Sequence, residues 1–308
     1  MTPINKDLIT ILGPTACGKT SLAVSLAKKI KAEIISADSR QVYKNMDIGT
    51  GKDIDEYTID NYKIPYHLID IIDAGEKYNI YQYQKDFLKI YQKLSANNIT
   101  PILCGGSGMY IESILKGYNL TYTPIDYDLR INLQKQSLTE LNNKLKTLKI
   151  LHNSSDSKDK DTIIRAIEIE LSKNNSNNNF PKLNSFIFGI NYQRDIIKKR
   201  ITLRLKERLR NGLIDEVNNL ITNGISKETL IYYGLEYKYI TLFLSKELSY
   251  NEMFKLLNIA IHQFSKKQMT WFRRMERNGL KIHWIGGNLP TNTKIENILE
   301  IINLKNEK

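Results

Sequence analysis

The chain has 308 residues, 41% of them hydrophobic, and a formal net charge of +12. This length suffices for a large core with an inserted second unit. No apolar stretch approaches the roughly 18 residues that a membrane span needs, so we expect a soluble protein with no membrane partner. The first residues lack the pattern of a signal peptide, which predicts a cytoplasmic location.

The sequence contains two cysteines, Cys17 and Cys104. They are far apart, and neither belongs to a CxxC pair or stands at metal-ligand spacing from a histidine. We therefore expect neither a disulfide framework nor a zinc site.

The excess of basic residues predicts a polyanionic partner. A positive surface attracts nucleic acid through phosphate neutralisation and counterion release. The alternative is that a composition rich in Lys, Asn and Ile reflects codon usage without any ligand, and charge alone leaves this open.

The first part of the chain alternates strand-like and helix-like patterns. Helical spacing of apolar residues is found at 21–30 and 80–94. Short apolar runs predict strands at 7–12, 33–36, 67–72 and 101–104. Strands that alternate with helices indicate a parallel α/β sheet.

The character of the sequence changes after residue 117. Charged helices are predicted at 128–150 and 161–172, with a polar break near 152–160, and a low-complexity surface loop at 173–181. The later elements are a strand at 185–190, long basic helices at 195–223 and 251–278, a strand at 281–285 and a helix from 293. We predict a parallel sheet core, formed by 1–121 and 183–308 with basic C-terminal helices, and a mostly helical insertion at 122–182.

A glycine-rich motif separates the first predicted strand from the first predicted helix. Its sequence, GPTACGKT, fits the phosphate-loop pattern GxxxxGK[ST] in the required strand-loop-helix context. Loop N–H groups and the helix N-terminus favour a diphosphate or nucleotide. We expect Lys19 to reach the terminal phosphate and Thr20 to hold Mg²⁺. The predicted phosphate-binding residues are Gly13, Pro14, Thr15, Ala16, Cys17, Gly18, Lys19 and Thr20.

The loop alone leaves open whether the phosphates belong to a nucleotide or to another diphosphate. Nucleoside triphosphate hydrolases carry an apolar strand that ends in a metal-binding Asp. Here Asp70 and Asp73 follow only short apolar runs, and the strand predicted at 101–104 leads into GGSG with no carboxylate. The sequence therefore disfavours an ordinary ATPase.

Asp38 directly follows the second predicted strand. Ligands bind at the carboxyl ends of the strands in such sheets, so Asp38 is expected to face the cleft beside the phosphate loop. The residues alone give equal weight to a turn or cap role, which the adjacent Ser39 supports.

The segment around Asp38 resembles the bacterial tRNA dimethylallyltransferase family. Residues 35–52, ISADSRQVYKNMDIGTGK, match the family pattern ISxDSxx[IV]YxxMDIGTxK, and GPTACGKT is similar to the family's GPTASGKT. Similar family segments also exist for PYHLID at 65–70, GGSGMY at 105–110, RAIEI at 165–169 and KKQMTWFR at 266–273. The resemblance spans nearly the whole chain, and it implies a P-loop NTPase-like core whose helical insertion at 122–182 faces the tRNA.

The resemblance implies transfer of dimethylallyl from its diphosphate to the exocyclic amine of the adenosine on the 3′ side of the anticodon in tRNA. By resemblance, Asp38 is the general base and Ser107 touches the tRNA beside the target base. Lys19, the loop N–H groups and Mg²⁺ on Thr20 would stabilise the leaving pyrophosphate. The partners implied are the tRNA anticodon stem-loop and dimethylallyl diphosphate, and we expect a monomer.

Further contacts follow from the same resemblance. Arg200 and Arg204 match the family's RIxxR segment and are expected to clamp the diphosphate. An equally weighted alternative is that both arginines lie on a solvent-exposed helix face without a ligand. Predicted tRNA-binding residues are Asp38, Ser39, Arg40, Gln41, Ser107, Arg165, Lys266, Lys267, Gln268, Trp271 and Arg273.

The basic C-terminal helix combines these predicted contacts with apolar residues. Met269, Phe272 and Met275 are expected to face a core, and Trp271 is more typical of a core than of a base-stacking platform. The positive charges, including that of Arg274, are better candidates for the RNA backbone.

Two departures concern tRNA recognition. Ile231 and Thr162 stand where the family often has arginine in its tRNA-contacting regions, whereas the transfer residues are retained.

Three rival functions use the same sequence features. The first is prenyl transfer to a free adenine nucleotide, which does not need the basic C-terminal helices. The second is a small-molecule kinase that uses ATP, and the third is a non-catalytic RNA-binding P-loop protein, which the retained Lys19, Thr20 and Asp38 disfavour.

Overall fold

The computed structural model describes residues 7–120, 122–148, 160–172 and 180–306. It divides into two compact units, one formed by Met1–Gly117 with Lys182–Lys308 and the other by Tyr118–Pro181. The boundaries drawn from the sequence, at 121/122 and 182/183, lie within a few residues of these divisions. In the described ranges, no helix is both long and apolar enough to cross a membrane.

The first segment of the larger unit alternates strands and helices. Its elements in chain order are β1 (Leu8–Leu12), α1 (Lys19–Ile30), β2 (Glu33–Ala37), β3 (Thr58–Ile59), β4 (Tyr62–Lys63), β5 (Tyr66–His67), α2 (Ile80–Ala96), β6 (Pro101–Gly105) and α3 (Gly108–Leu115). A short 3₁₀ helix, Ile54–Tyr57, precedes the antiparallel hairpin of β3 and β4.

The smaller unit is a helical insertion, of which the described residues form three helices. Its helices are α4 (Tyr127–Gln134), α5 (Leu138–Leu148) and α6 (Lys160–Leu171). Leucines and isoleucines at helical spacing supply its own core, which explains why the segment forms a compact unit by itself. The buried core residues are Leu133, Leu141, Leu145, Ile163, Ile164 and Ile167.

The second segment of the larger unit completes the sheet and adds most of its helices. Its elements are β7 (Ser185–Asn191), α7 (Arg194–Arg210), α8 (Leu213–Thr222), α9 (Lys227–Tyr233), α10 (Leu235–Leu244), α11 (Tyr250–Arg277), β8 (Ile282–Gly286) and α12 (Thr291–Asn306).

Six strands form one parallel sheet in the order β5-β2-β6-β1-β7-β8. All five residues of β1 and of β6 are buried, as is typical of parallel strands covered by helices. The parallel α/β fold predicted from the sequence is confirmed. Because β1 lies between β6 and β7, both segments of the larger unit contribute to the same sheet.

Two predicted elements of the larger unit differ from the structure. The strand predicted at 67–72 is reduced to the pair Tyr66–His67, because Leu68 and Asp70 have left-handed φ angles of 60° and 55°, which interrupt an extended strand. The helix predicted at 195–223 is divided at Gly212, whose φ is 95°. Residues 173–179 of the predicted surface loop lie outside the described residues.

The helix predicted at 128–150 is two helices, and Ser137 marks the break. The Ser137 N–H donates to Glu140 Oε2 at 2.7 Å, and the Glu140 N–H donates to Ser137 Oγ at 3.3 Å. This reciprocal capping pair begins a new helix.

Candidate active site

The phosphate loop joins β1 to α1 in a conformation that suits an anion. Ala16 and Gly18 have left-handed φ angles of 61° and 82°, a geometry in which successive N–H groups form a concave anion site. The first turn of α1 contains no acidic residue, so the positive end of its dipole faces an anion without competition. Lys19 Nζ donates to the Pro14 carbonyl at 2.9 Å, which holds its side chain along the loop.

Asp38 and Ser107 follow neighbouring strands, β2 and β6. The Ser107 N–H donates to the Ala37 carbonyl at 3.1 Å, and Ser107 Oγ accepts from the Ser39 N–H at 3.0 Å. Asp38 Oδ1 accepts from the Arg40 N–H at 2.9 Å. Asp38 therefore closes a turn, which is the alternative role that the sequence left open. This turn also holds the carboxylate at the end of β2.

A cavity of about 260 Å³, here called the inner cavity, connects this turn with the phosphate loop. Its lining includes Asp38, Ser107, Lys19 and Thr20. The structure thus brings the four residues predicted for catalysis and metal binding to one space.

A second cavity, here called the outer cavity, shares Lys19 and Thr20 with the inner cavity and has a volume of about 430 Å³. Arg200 and Arg204 line it. Arg200 Nε donates to the Ala16 carbonyl at 2.8 Å, and Arg204 Nη2 is 2.5 Å from Asp53 Oδ2. Both arginines therefore face the phosphate loop, which favours the clamp interpretation over a solvated helix face.

Thr20 lines both cavities, and each cavity also contains carboxylates. Asp38 lines the inner cavity, and Asp53 and Glu56 line the outer one. Burial, and then the charge of Asp53, raise the pKa of Glu56. Within the described residues, no group of three or more His, Cys, Asp or Glu side chains is arranged to hold a metal ion. Mg²⁺ typically takes one or two carboxylates and completes its shell with substrate phosphates and water, so the predicted Mg²⁺ site at Thr20 stays a prediction.

Gln268 of α11 ties the phosphate loop to the segment that follows β6. Gln268 Oε1 accepts from the Thr15 N–H at 2.8 Å, and Nε2 donates to the Gly106 carbonyl at 2.9 Å. Gln268 is only 6% exposed, and a β carbon on Gly106 would stand 2.4 Å from its Nε2. These contacts give Gln268 a positioning role at the cavity wall; its predicted contact with tRNA stays a prediction.

Lys52, the last residue of the motif around Asp38, is buried inside the turn that the motif forms. It is 1% exposed, and its Nζ donates to the Tyr43 carbonyl at 2.7 Å and to Asp47 Oδ1 at 2.6 Å. Nζ also donates to Asp70 Oδ1. Asp70 is thus committed to Lys52, which agrees with its weakness as a metal-binding candidate.

Glu216 of α8 holds the same motif from outside. Its carboxylate accepts from the N–H groups of Asp47, Ile48 and Gly49 at 2.8, 2.6 and 3.0 Å, and from the Tyr237 hydroxyl at 2.9 Å. Sequence reasoning missed Glu216 because a carboxylate on a charged helix resembles a solvated residue.

Other residues after Asp38 have partners within the protein. Arg40 Nε donates to the Tyr233 carbonyl at 2.9 Å. Gln41 Oε1 accepts from Ser36 Oγ at 2.9 Å, and its Nε2 donates to the Gly51 carbonyl at 3.0 Å. These bonds shape the cavity wall, and the predicted tRNA contacts of Arg40 and Gln41 stay predictions.

Three neutral side chains interact electrostatically with Asp38, namely Tyr83, Cys104 and Tyr110. Burial raises the pKa of the Cys104 thiol to about 12, and burial, followed by smaller effects that include the Asp38 charge, raises that of Tyr110. The Tyr83 hydroxyl, whose pKa burial also raises, donates to the Ser36 carbonyl at 3.1 Å. These three groups therefore stay protonated at neutral pH.

The basic face of α11 separates into exposed and structural charges. Lys266, Lys267 and Arg273 are exposed, in agreement with a role at the RNA backbone. Arg274 differs, since its Nη2 is 2.6 Å from Glu112 Oε2 and its guanidinium lies 4.0 Å from the centre of the Trp271 ring. Arg274 was predicted to contact the RNA backbone; the structure instead places it in an ion pair with the buried Glu112 carboxylate.

The apolar face of α11 follows the sequence pattern. Phe272 and Met275 are fully buried, as predicted. Trp271 is half-buried, and its ring occupies the space in front of Gly108, where a β carbon would stand 2.4 Å from Trp271 Cδ1. This packing favours the core interpretation of Trp271.

Arg165 lies in the insertion and is engaged there. Its Nη1 is 2.9 Å from Glu168 Oε2, and its Nη2 donates to the Thr123 carbonyl at 2.6 Å. Arg130 binds the same carboxylate. These contacts give Arg165 a role in the framework of the insertion, and its predicted tRNA contact stays a prediction.

The fold and the site define a P-loop protein in which a carboxylate faces a phosphate loop across one cavity. The family model described as IPP transferase matches residues 41–275. The chain belongs to this family, and the resemblance inferred from the sequence is confirmed.

Full-length relatives carry the same family identity. A protein of Phocaeicola vulgatus named tRNA dimethylallyltransferase 2 is 52% identical over 97% of this chain and 99% of its own length. One of Azobacteroides pseudotrichonymphae, named tRNA dimethylallyltransferase 1, is 56% identical over 91% of this chain and 92% of its own. The crystal structure of the tRNA isopentenylpyrophosphate transferase of Bacillus halodurans is similar with a TM-score of 0.70 and 29% identity, and the match covers 98% and 96% of the two chains.

Proposed function

We propose that this protein transfers a dimethylallyl group from dimethylallyl diphosphate to the exocyclic amine of the adenosine on the 3′ side of the tRNA anticodon and releases pyrophosphate. The observation that carries the proposal is the inner cavity, in which the Asp38 carboxylate and the phosphate loop's Lys19 face the same space. Such an arrangement suits a reaction that removes a proton from one substrate and a diphosphate from the other.

The amine is a weak nucleophile because its lone pair is delocalised into the adenine ring. In the reaction, its nitrogen forms a bond to the first carbon of the allyl group while the bond from that carbon to the diphosphate oxygen breaks. Asp38 accepts the amine proton, and its turn, closed by the Arg40 N–H, keeps the carboxylate aimed at this position.

The outer side of the phosphate loop receives the leaving group. Lys19, Arg200 and Arg204 supply positive charge there, and N–H groups at the start of α1 add donors. Mg²⁺, when bound, would be held by Thr20 and the diphosphate oxygens and would supply further charge neutralisation. Pyrophosphate is stabilised as its charge develops.

tRNA meets the protein at the turn that carries Asp38 and at the exposed basic residues of α11. Lys266, Lys267 and Arg273 neutralise backbone phosphates, which positions the anticodon loop without reading its bases. A nucleotide-only acceptor would not need these charges, so they favour tRNA over free nucleotide.

The test is incubation of the protein with dimethylallyl diphosphate, Mg²⁺ and unmodified tRNA, followed by nucleoside analysis of the digested RNA. Prenylated adenosine is expected, and ATP should not replace the prenyl donor. A phosphorylated product made from ATP, with no prenyl nucleoside, would point to the kinase alternative. Prenylation of AMP in preference to tRNA would point to the free-nucleotide alternative.

A further inference from the structure

Arg208 occupies the junction of the two cavities. It follows Arg200 and Arg204 at helical spacing along one face of α7. Its side chain is 13% exposed and lines both the inner and the outer cavity. A guanidinium in this position can reach a group that extends from one cavity into the other.

Gly51 provides the space in which Arg208 and Arg204 come together. A β carbon on Gly51 would stand 1.7 Å from Arg208 Nη2 and 2.3 Å from Arg204 Nη2. Gly51 also has a left-handed φ of 62°, which glycine adopts without strain. Two like charges therefore converge on one point beside the phosphate loop.

The charge of Arg208 is only loosely compensated within the protein. Its Nη1 lies 3.5 Å from Glu236 Oε1 and donates to the Gly49 carbonyl at 3.3 Å, both longer than the 2.7–2.9 Å usual for charge-assisted bonds. Asp53 pairs with the neighbouring Arg204. Burial, and then the charge of Arg204, lower the pKa of Arg208, and burial raises that of Glu236. An anionic ligand would relieve this arrangement.

We propose that Arg208 is a third arginine of the diphosphate site, held over the phosphate loop by Glu236, and that it contacts the diphosphate of the donor and of the pyrophosphate product. This inference rests on the proposed function. A planar guanidinium offers paired donors to phosphate oxygens. Arg208 is thus a binding residue, and Glu236, which acts through it, is a positioning residue.

The experiment measures binding of inorganic pyrophosphate with Mg²⁺ to the full chain by calorimetry. Arg208→Lys keeps the charge but loses the paired donors, and it should weaken binding about 10- to 100-fold, the effect of a lost charge-assisted hydrogen bond. Arg210→Ala, an exposed arginine on the same helix, is the matched control and should bind within twofold of the wild type.

A double variant, Arg208→Met with Glu236→Gln, removes both buried charges and keeps the fold free of an unpaired carboxylate. It should lose pyrophosphate affinity by at least the same factor, with its melting temperature close to that of the wild type and its affinity for tRNA within threefold. Pyrophosphate affinity equal to the wild type in this variant would overturn the proposal. So would a parallel loss of stability and of both affinities, which would make the pair structural.

The binding readout also separates this inference from the proposed function. If the wild type makes no prenyl nucleoside but the Arg208 variants still lose pyrophosphate affinity, the function fails and the site stands. A wild type that does not bind pyrophosphate at all overturns the site. A variant that loses tRNA affinity while keeping pyrophosphate affinity assigns Arg208 to an RNA phosphate instead.

Discussion

Replacing Arg274 with alanine should lower the stability of the larger unit. Its ion-pair partner Glu112 is only 2% exposed, and removal of one partner of a buried pair costs about 3–5 kcal/mol. Arg274 is itself 27% exposed, so water partly compensates, and we expect a loss of about 2–3 kcal/mol. Lost contact with the Trp271 ring adds about 0.5–1 kcal/mol. The two losses sum to about 2.5–4 kcal/mol, so at roughly 2–4 °C per kcal/mol the melting temperature should fall by about 5–16 °C.

The assay is a thermal melt followed by circular dichroism, with Lys267→Ala as the matched control on the same helix. Lys267 is exposed, so its variant should melt within about 1 °C of the wild type, since surface substitutions rarely exceed about 0.5 kcal/mol. An Arg274→Ala protein that melts like the wild type but binds tRNA less tightly would refute the reasoning and return Arg274 to the RNA contacts.

Three further outcomes are expected. Lys266→Ala should weaken tRNA binding and reduce the slope of log affinity against log salt by about one unit, with an unchanged single-turnover rate at saturating tRNA; an unchanged slope contradicts a phosphate contact. Because burial raises the pKa of Cys104 to about 12, iodoacetamide at pH 8 should leave it unmodified in the folded protein by mass spectrometry, and rapid alkylation contradicts this. Burial acts to raise the pKa of Glu168, but hydrogen bonds from two arginines outweigh burial, so the pKa is lowered in the folded protein. The ionised Glu168 therefore stabilises the fold at pH values above its unfolded-state pKa, and this stabilisation is lost as the pH falls through its folded-state pKa. Glu168→Gln should accordingly flatten the acid limb of a plot of unfolding free energy against pH.

The central strands could be predicted because burial on both faces leaves a continuous apolar run, as in β1 and β6. The pattern predicted the strand at 67–72 too long, because its apolar residues continue past the left-handed Leu68, where β5 has already ended. The break at Gly212 was hidden for a related reason: the apolar spacing continues through a residue whose φ of 95° ends the helix.

The residues of the site also divide into those that the sequence could predict and those that it could not. Asp38 and the phosphate loop could be predicted because each lies at the end of a recognisable strand. Glu216 and Arg208 could not, because their partners near residue 50 are more than 150 positions away in sequence. A charged residue in a charged helix carries no sign of burial until the fold supplies its partner.

The direct test of the central claim is the single-turnover rate of Asp38→Asn with dimethylallyl diphosphate and saturating tRNA. The amide preserves an oxygen for the Arg40 N–H, so the turn is retained while the proton acceptor is lost. The rate should fall by about 10²- to 10⁴-fold, with pyrophosphate binding unchanged. A rate within threefold of the wild type would contradict the account and leave Asp38 as a structural turn residue.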